Sequence, residues 1–305
     1  MKKLFCLLLM ASNLLLAQNN VAFLHIESRF PTPELKTGTA FSEFNFELAG
    51  GMVIVKAVLN NREGNFILDT GAPGIIVNSR CDELETRQTA AGVNGTLSVG
   101  EVNIEDFQWG IIHEENIKGY MLDVSHLELA CGRNILGLIG FDVLKNYELF
   151  FDYRSKKVQM FKAGDADFTH SLRPVKSIPF TLFGHVPVIT AKIGGKRVRL
   201  GLDSGAEINL LDEKFFSGFD NSLLSDVEEE FLTGLDQNSR NVIAADIRST
   251  VIKNDTLAEM RYVFTDLSLL RQQFGAPVDG LLGFPFFKNQ VISINYKKKR
   301  IYIWQ

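Results

Sequence analysis

Residues 46–72 read FELAGGMVIVKAVLNNREGNFILDTGA, and residues 180–206 read FTLFGHVPVITAKIGGKRVRLGLDSGA. They align without a gap at an offset of 134. Phe46/Phe180, Leu48/Leu182, Gly50/Gly184, Ala57/Ala191, Leu68/Leu202, Asp69/Asp203, Gly71/Gly205 and Ala72/Ala206 are identical. A second block repeats at an offset of 143: GLIGFDVLKNYELFFDYRSKKVQMF from Gly137 and GLLGFPFFKNQVISINYKKKRIYIW from Gly280. Two collinear blocks in the same order are the mark of an internal duplication. The change of offset puts nine extra residues between the blocks of the second half.

Each half reads mostly as strands. Met52 to Leu59 and Phe66 to Leu68 are β-rich runs joined by the turn-formers Asn60 to Gly64, and Val186 to Ile193 and Val198 to Leu202 are joined by Gly194-Gly195-Lys196. Thr96 to Val99 and Val102 to Ile112 suggest another hairpin through Gly100. The segments after Gly140 and Gly283 suggest one short helix per half. A charged-turn hairpin then closes each block. Residues 165–177 are polar, contain Pro174 and carry no apolar period, which makes them the candidate linker between a lobe at 18–164 and a lobe at 178–305.

In both halves an acidic residue ends an apolar strand: Asp69 after Phe66-Ile67-Leu68 and Asp203 after Leu200-Gly201-Leu202. The same pattern follows each, Asp69-Thr70-Gly71-Ala72 and Asp203-Ser204-Gly205-Ala206. A carboxylate at such a position is costly to bury unless it is paired or hydrogen-bonded. The glycine permits a tight turn and close approach of a partner, and the hydroxyl can reach the opposite half. Packing the halves against one another would bring the two carboxylates together. They would then share a proton, because two close carboxylates do not both ionise readily. One serves as base toward a water held between them, and the other as acid toward a carbonyl oxygen.

On these residues the chain resembles the aspartic peptidases, specifically the retropepsin-like family of bacterial exported aspartyl proteases. The resemblance covers nearly the whole chain after the leader. It extends to Leu138-Ile139-Gly140 and Leu281-Leu282-Gly283, which lie 71 and 80 residues beyond the two aspartates. It implies a mainly β fold of two pseudo-symmetric retropepsin/pepsin-like β-barrel lobes. It implies that Asp69 and Asp203 are the catalytic pair, with Thr70 and Ser204 interlocked beneath them and Gly71, Ala72, Gly205 and Ala206 supporting. The activity implied is endopeptidase cleavage of peptide or protein substrates, with no cofactor and no metal ion. The chain departs from pepsin-like members in having Ala72 and Ala206 where Ser or Thr usually stands. A donating hydroxyl lowers a carboxyl pKa, so its absence predicts a pair that titrates higher and works best at mildly acidic to neutral pH. Ala90 to Gly95 and Leu232 to Leu235 are the candidate tips of substrate-covering hairpins. Tyr153, Tyr296, Phe141 and Phe284 read as core.

The first 17 residues carry a secretion-signal pattern: Lys2 and Lys3, an apolar run from Leu4 to Leu16, then Ala17 before polar Gln18-Asn19-Asn20. Export to the periplasm or beyond is the expectation, as a monomer without stable membrane insertion. Cys81 and Cys131 would remain, either bridged or as two buried thiols. The five histidines, His25, His113, His126, His170 and His185, read as surface or loop residues rather than ligands. The 305 residues are 46% apolar and 22% charged, with 32 basic against 36 acidic side chains. That composition fits a globular protein, and a net charge of −4 argues against a nucleic-acid partner.

Three other readings explain less. An actin-like or sugar-kinase ATPase also duplicates an Asp-x-Gly turn, but a hydroxyl residue usually follows its glycine and long crossover helices separate its strands. A secreted module could bind peptides in the same cleft without cutting them, but has no need of two costly neighbouring carboxylates. A glycosidase would explain neither the Thr/Ser-Gly-Ala context nor the duplication.

Overall fold

The computed structural model describes residues 9–11, 34–35, 40–81, 88–91, 96–163, 166–167, 174–234, 239–253, 255–274, 278–288 and 290–304. The protein is mainly β and forms two barrel-like lobes. The first half runs β1 (Phe41–Asn45), β2 (Glu47–Ala49), β3 (Met52–Leu59), β4 (Arg62–Leu68), β5 (Ile76–Asn78), β6 (Gln88–Ala91), β7 (Thr96–Trp109), β8 (Ile112–Leu122), α1 (Ser125–Cys131), β9 (Gly137–Ile139), α2 (Phe141–Leu144), β10 (Tyr147–Asp152) and β11 (Lys157–Lys162). The second runs β12 (Lys176–Pro179), β13 (Thr181–Phe183), β14 (Val186–Ile193), β15 (Lys196–Leu202), β16 (Asn209–Asp212), β17 (Leu224–Gly234), β18 (Ser239–Ile247), β19 (Thr250–Ile252), β20 (Met260–Thr265), α3 (Ser268–Phe274), β21 (Gly280–Leu282), α4 (Phe284–Phe287), β22 (Val291–Asn295) and β23 (Arg300–Trp304).

The duplication read from the sequence is repeated in the pairing. In the first half the order is β3-β4-β9-β5-β8-β7-β6, and in the second β14-β15-β21-β16-β20-β18-β17. The first sheet closes on itself where β3 meets β7, Val58 opposite Gln108. The second makes the equivalent contact, Lys192 opposite Val251, through β19, which follows a break at Arg248-Ser249. The fold comprises a closed six-strand barrel and a half-barrel sheet.

Local chemistry sets the hairpins. Asn60 and Asn61 both have positive φ (48° and 62°), as do Gly194 and Gly195 (55° and 79°). These are two-residue turns whose twist matches that of the flanking strands. The first turn is shorter than the sequence suggested, and the strand resumes at Arg62. Two short α-helices occur in each half where one was expected. The additional ones, α1 and α3, span seven residues each, too short for apolar periodicity to reveal.

A third sheet joins the lobes in the order β12-β23-β22-β10-β11-β1. At its centre β10 and β22 run antiparallel, with Glu148 opposite Asn295, Phe150 opposite Ser293 and Asp152 opposite Val291. Shifting these pairs by the 143-residue repeat returns the same set of pairs. Glu148 is buried there and accepts hydrogen bonds from Ser293 Oγ (2.9 Å) and Asn295 Nδ2 (2.5 Å). Burial raises its pKa against the lowering effect of those donors. The end of the expected linker, residues 176–177, belongs to β12.

Of the expected signal segment, Leu9–Ala11 is described, paired antiparallel with Leu232–Gly234. No helix among the described residues is long and apolar enough to cross a membrane.

Candidate active site

Asp69 leaves the end of β4, and Asp203 leaves the end of β15. Each strand is held between the β2–β3 or β13–β14 hairpin on one side and the apolar-apolar-Gly strand on the other. That third strand and the residue after it hold each aspartate turn: Asp69 N–H donates to Ile139 O (2.9 Å) and Phe141 N–H to Ala72 O (2.9 Å). Across the duplication, Asp203 N–H donates to Leu282 O (3.0 Å) and Phe284 N–H to Ala206 O (2.8 Å).

The two turns meet face to face. A Cβ placed on Gly71 would lie 2.7 Å from Asp203 Cγ, and one placed on Gly205 would lie 2.7 Å from Asp69 Cγ. Only glycine lets each turn come this close to the opposing carboxyl group. Beneath them the hydroxyls cross over. Thr70 Oγ1 donates to Leu202 O (3.2 Å) and accepts from Ser204 N–H (3.0 Å). Ser204 Oγ donates to Leu68 O (2.8 Å) and accepts from Thr70 N–H (3.1 Å). Each hydroxyl is thus satisfied by the other half's backbone.

The carboxyls themselves are 0% exposed. Asp69 Oδ1 accepts from Gly71 N–H (2.7 Å) and Ala72 N–H (3.0 Å), and Asp203 Oδ1 accepts from Gly205 N–H (2.9 Å). Neither Oδ2 receives a bond from an ordinary N–H or O–H donor of the described residues. A carboxyl pair can supply its own donor, since a proton on one is shared with the other. Burial pushes Asp69 up to about 6, opposed by hydrogen bonds from Asp203, Gly71 and Ala72. Burial, and then the charge of Asp69, holds Asp203 well above the usual carboxylate range. Ala72 and Ala206 add no hydroxyl donors to counter this.

The residues singled out in the sequence lie together: the Asp69-Thr70-Gly71-Ala72 turn meets the Asp203-Ser204-Gly205-Ala206 turn. Tyr153 and Tyr296 are buried core residues, as expected, and both phenols are raised by burial and secondarily by the aspartates. Phe141 lies edge-on to Tyr296 and Phe284 tilts against Tyr153. Of the segments proposed as substrate-covering tips, Ala90-Ala91 end strand β6, which pairs with β7, and Leu232–Gly234 end strand β17, which pairs with β18. Their connecting segments, 92–95 and 235–238, lie outside the described residues. Cys131 is a buried free thiol whose Sγ donates to Ala49 O (3.8 Å), so the thiol alternative applies to it.

The histidines divide. His25 and His170 lie outside the described residues. His113 is exposed and paired with Asp106 (2.7 Å); with Glu115 these form one group of three ligand-type side chains on the β7–β8 hairpin. His126 and His185 correct the surface-or-loop reading in one respect, since both are buried. His185 stands in the β13–β14 turn, its Nε2 2.8 Å from Gly71 O. The alignment held the signal that was missed: His185 falls opposite Gly51, a side chain facing a position that has none.

The crossed hydroxyls give a direct test. Thr70→Val keeps the shape but strands Ser204 N–H and Leu202 O, at about 1–3 kcal/mol per buried group. Urea unfolding should show a loss of about 2–4 kcal/mol, and Thr70→Ser should recover most of it. Equal stability of Thr70→Val and the parent protein would mean the crossing carries no load.

No protein-family model matches the sequence, and no curated protein matches it.

Proposed function

We propose that the protein is an exported aspartic endopeptidase that hydrolyses peptide bonds with a water activated between Asp69 and Asp203. The observation that carries this reading is the reciprocal approach of the two turns, each glycine against the other's carboxyl. The chemistry follows from a pair holding one proton. The ionised carboxylate takes a proton from water as its oxygen bonds to the scissile carbonyl carbon. The neutral carboxyl gives its proton to the carbonyl oxygen, and a gem-diol forms. On collapse the C–N bond breaks, the amine nitrogen takes the newly gained proton, and the pair recovers the one it gave. Water is consumed, one proton stays on the pair, and no acyl-enzyme forms.

The experiment is digestion of a peptide library in H2 18O across pH 3–8, with products read by mass spectrometry. Expected are internal cleavages, with 18O entering the new carboxyl terminus and no acyl-enzyme trapped. The raised pair places the acidic limb of the rate profile at mildly acidic pH, since a base near 6 is protonated, and so idle, below that value. A folded protein that cleaves nothing in the library would remove the reading. A profile rising toward pH 2 would remove the expected titration.

A further inference from the structure

Two carboxyls in matching turns would share a proton evenly if their surroundings matched. One difference between them is a side chain. In the first half the β2–β3 turn is Gly50-Gly51, with both residues at positive φ (55° and 72°). Glycine is therefore favoured at 51, and a Cβ there would also lie 3.2 Å from Glu207 Cγ and from the Phe284 ring. In the second half the turn is left-handed at Gly184 alone (φ 61°), so residue 185 can carry a side chain. It carries a buried histidine.

A carbonyl oxygen only accepts, so His185 Nε2 bears the proton in its 2.8 Å bond to Gly71 O. That carbonyl belongs to the Gly71–Ala72 peptide, whose N–H donates to Asp69 Oδ1. Imidazole, peptide and carboxylate thus form a chain of donors pointing toward Asp69. Bonds in such a chain polarise one another. The position equivalent to His185 in the other half is Gly51, which has no side chain to do the same for Asp203.

We propose that His185 is a positioning residue that makes the two carboxyls unequal: its Nε2–H fixes and polarises the Gly71–Ala72 peptide, so that Asp69 carries the charge and acts as base while Asp203 carries the shared proton. The kinetic part of this assignment rests on the peptidase reading; the difference in proton affinity does not. The other titratable groups facing the pair are Tyr153 and Tyr296, phenols that burial keeps neutral. Glu207 lies with its Cγ against Gly51.

The test compares two substitutions. His185→Phe fills the space without an N–H, and His185→Gln keeps an N–H donor without the ring. Each is placed in an Asp203→Asn background, and Asp69 is titrated by 13C-carboxyl NMR, which needs no substrate. The Phe variant is expected to bind the Asp69 proton ~3–10-fold more tightly, and the Gln variant to track the parent. In the protein with both aspartates, the acidic limb of kcat should move to higher pH in His185→Phe, with KM unchanged and Gln restoring it. An unmoved NMR titration in the Phe variant, or equal shifts in Phe and Gln, overturns the proposal. A moved titration in a protein that cleaves no peptide would keep the proposal and remove the peptidase reading. Cleavage with an unmoved titration would do the reverse.

Discussion

Asp69→Asn and Asp203→Asn are each expected to reduce peptide cleavage by about 10⁴-fold or more, because in the proposed peptidase mechanism each carboxyl acts in both the addition and the collapse and one such proton transfer is worth ~10²–10⁴. The fold should survive. Asparagine Oδ1 can accept the same turn N–H bonds, from Gly71 and Ala72 at position 69 or from Gly205 at position 203. Its Nδ2 can donate to the facing carboxyl in place of the shared proton. Stability should move opposite to activity. The Asp69 carboxyl is raised from 3.8 to about 6, so the stability its neutral form contributes is full below 3.8 and is lost as pH rises through 6. Asparagine has no such loss. Thermal melts should therefore show Asp69→Asn gaining on the parent protein from pH 4 to pH 7.5, with the gain absent at pH 3. Unchanged cleavage in both variants would end the two-carboxyl reading.

Gly140→Ala should be strongly destabilising. The backbone at 140 is extended (φ −123°), so conformation is no obstacle. The obstacle is contact: a Cβ would lie 2.4 Å from Ala72 O and 2.7 Å from Gly74 O. Neither atom is the end of a flexible side chain, and Ala72 O is held by Phe141 N–H. Overpacking commonly costs 1–3 kcal/mol and more where nothing can yield, so a loss of about 3 kcal/mol or failure to fold is expected. Gly283→Ala should behave alike, since its Cβ meets Ile208 O at 2.4 Å and Ala206 O at 2.5 Å. Gly74→Ala is the control; its nearest neighbour, Asp142 Oδ2, is at 3.4 Å, and it should cost less than about 1 kcal/mol. Similar denaturation midpoints for Gly140→Ala and Gly74→Ala would refute the argument.

The two aspartate turns were legible because their chemistry is local: acid, hydroxyl, glycine and alanine sit in a row, twice. The duplication then supplied what one copy cannot, namely that the turns meet. The strand content was legible from β-branched runs and turn-formers except at Gly100, which lies inside the continuous strand β7, the turn to β8 coming instead at Gly110-Ile111. What could not be read was which strands pair across the halves. Tyr147–Asp152 and Val291–Asn295 show only that they are buried, and a buried strand does not name its neighbour. The helices α1 and α3 were hidden by their length. The break at Arg248-Ser249 falls opposite Glu105-Asp106, which lie inside the unbroken strand β7, and polar residues stand at both places, so neither pair marks a strand end. His185 escaped because a lone histidine in a turn is ordinarily a surface feature.

The joining sheet also bears on synthesis. Strand β10 finds its outer partner only when residues 291–295 exist, 139 residues after Asp152. Until that partner docks, Leu149, Phe150 and Phe151 lie on an edge whose backbone groups are unpaired. Such an edge invites aggregation, and inward-pointing charges are one way to discourage it. Glu148 and Asp152 supply two of them. When β22 arrives, Asn295 and Ser293 take the glutamate, so the residue that guards the nascent strand becomes part of the seam that retires the hazard.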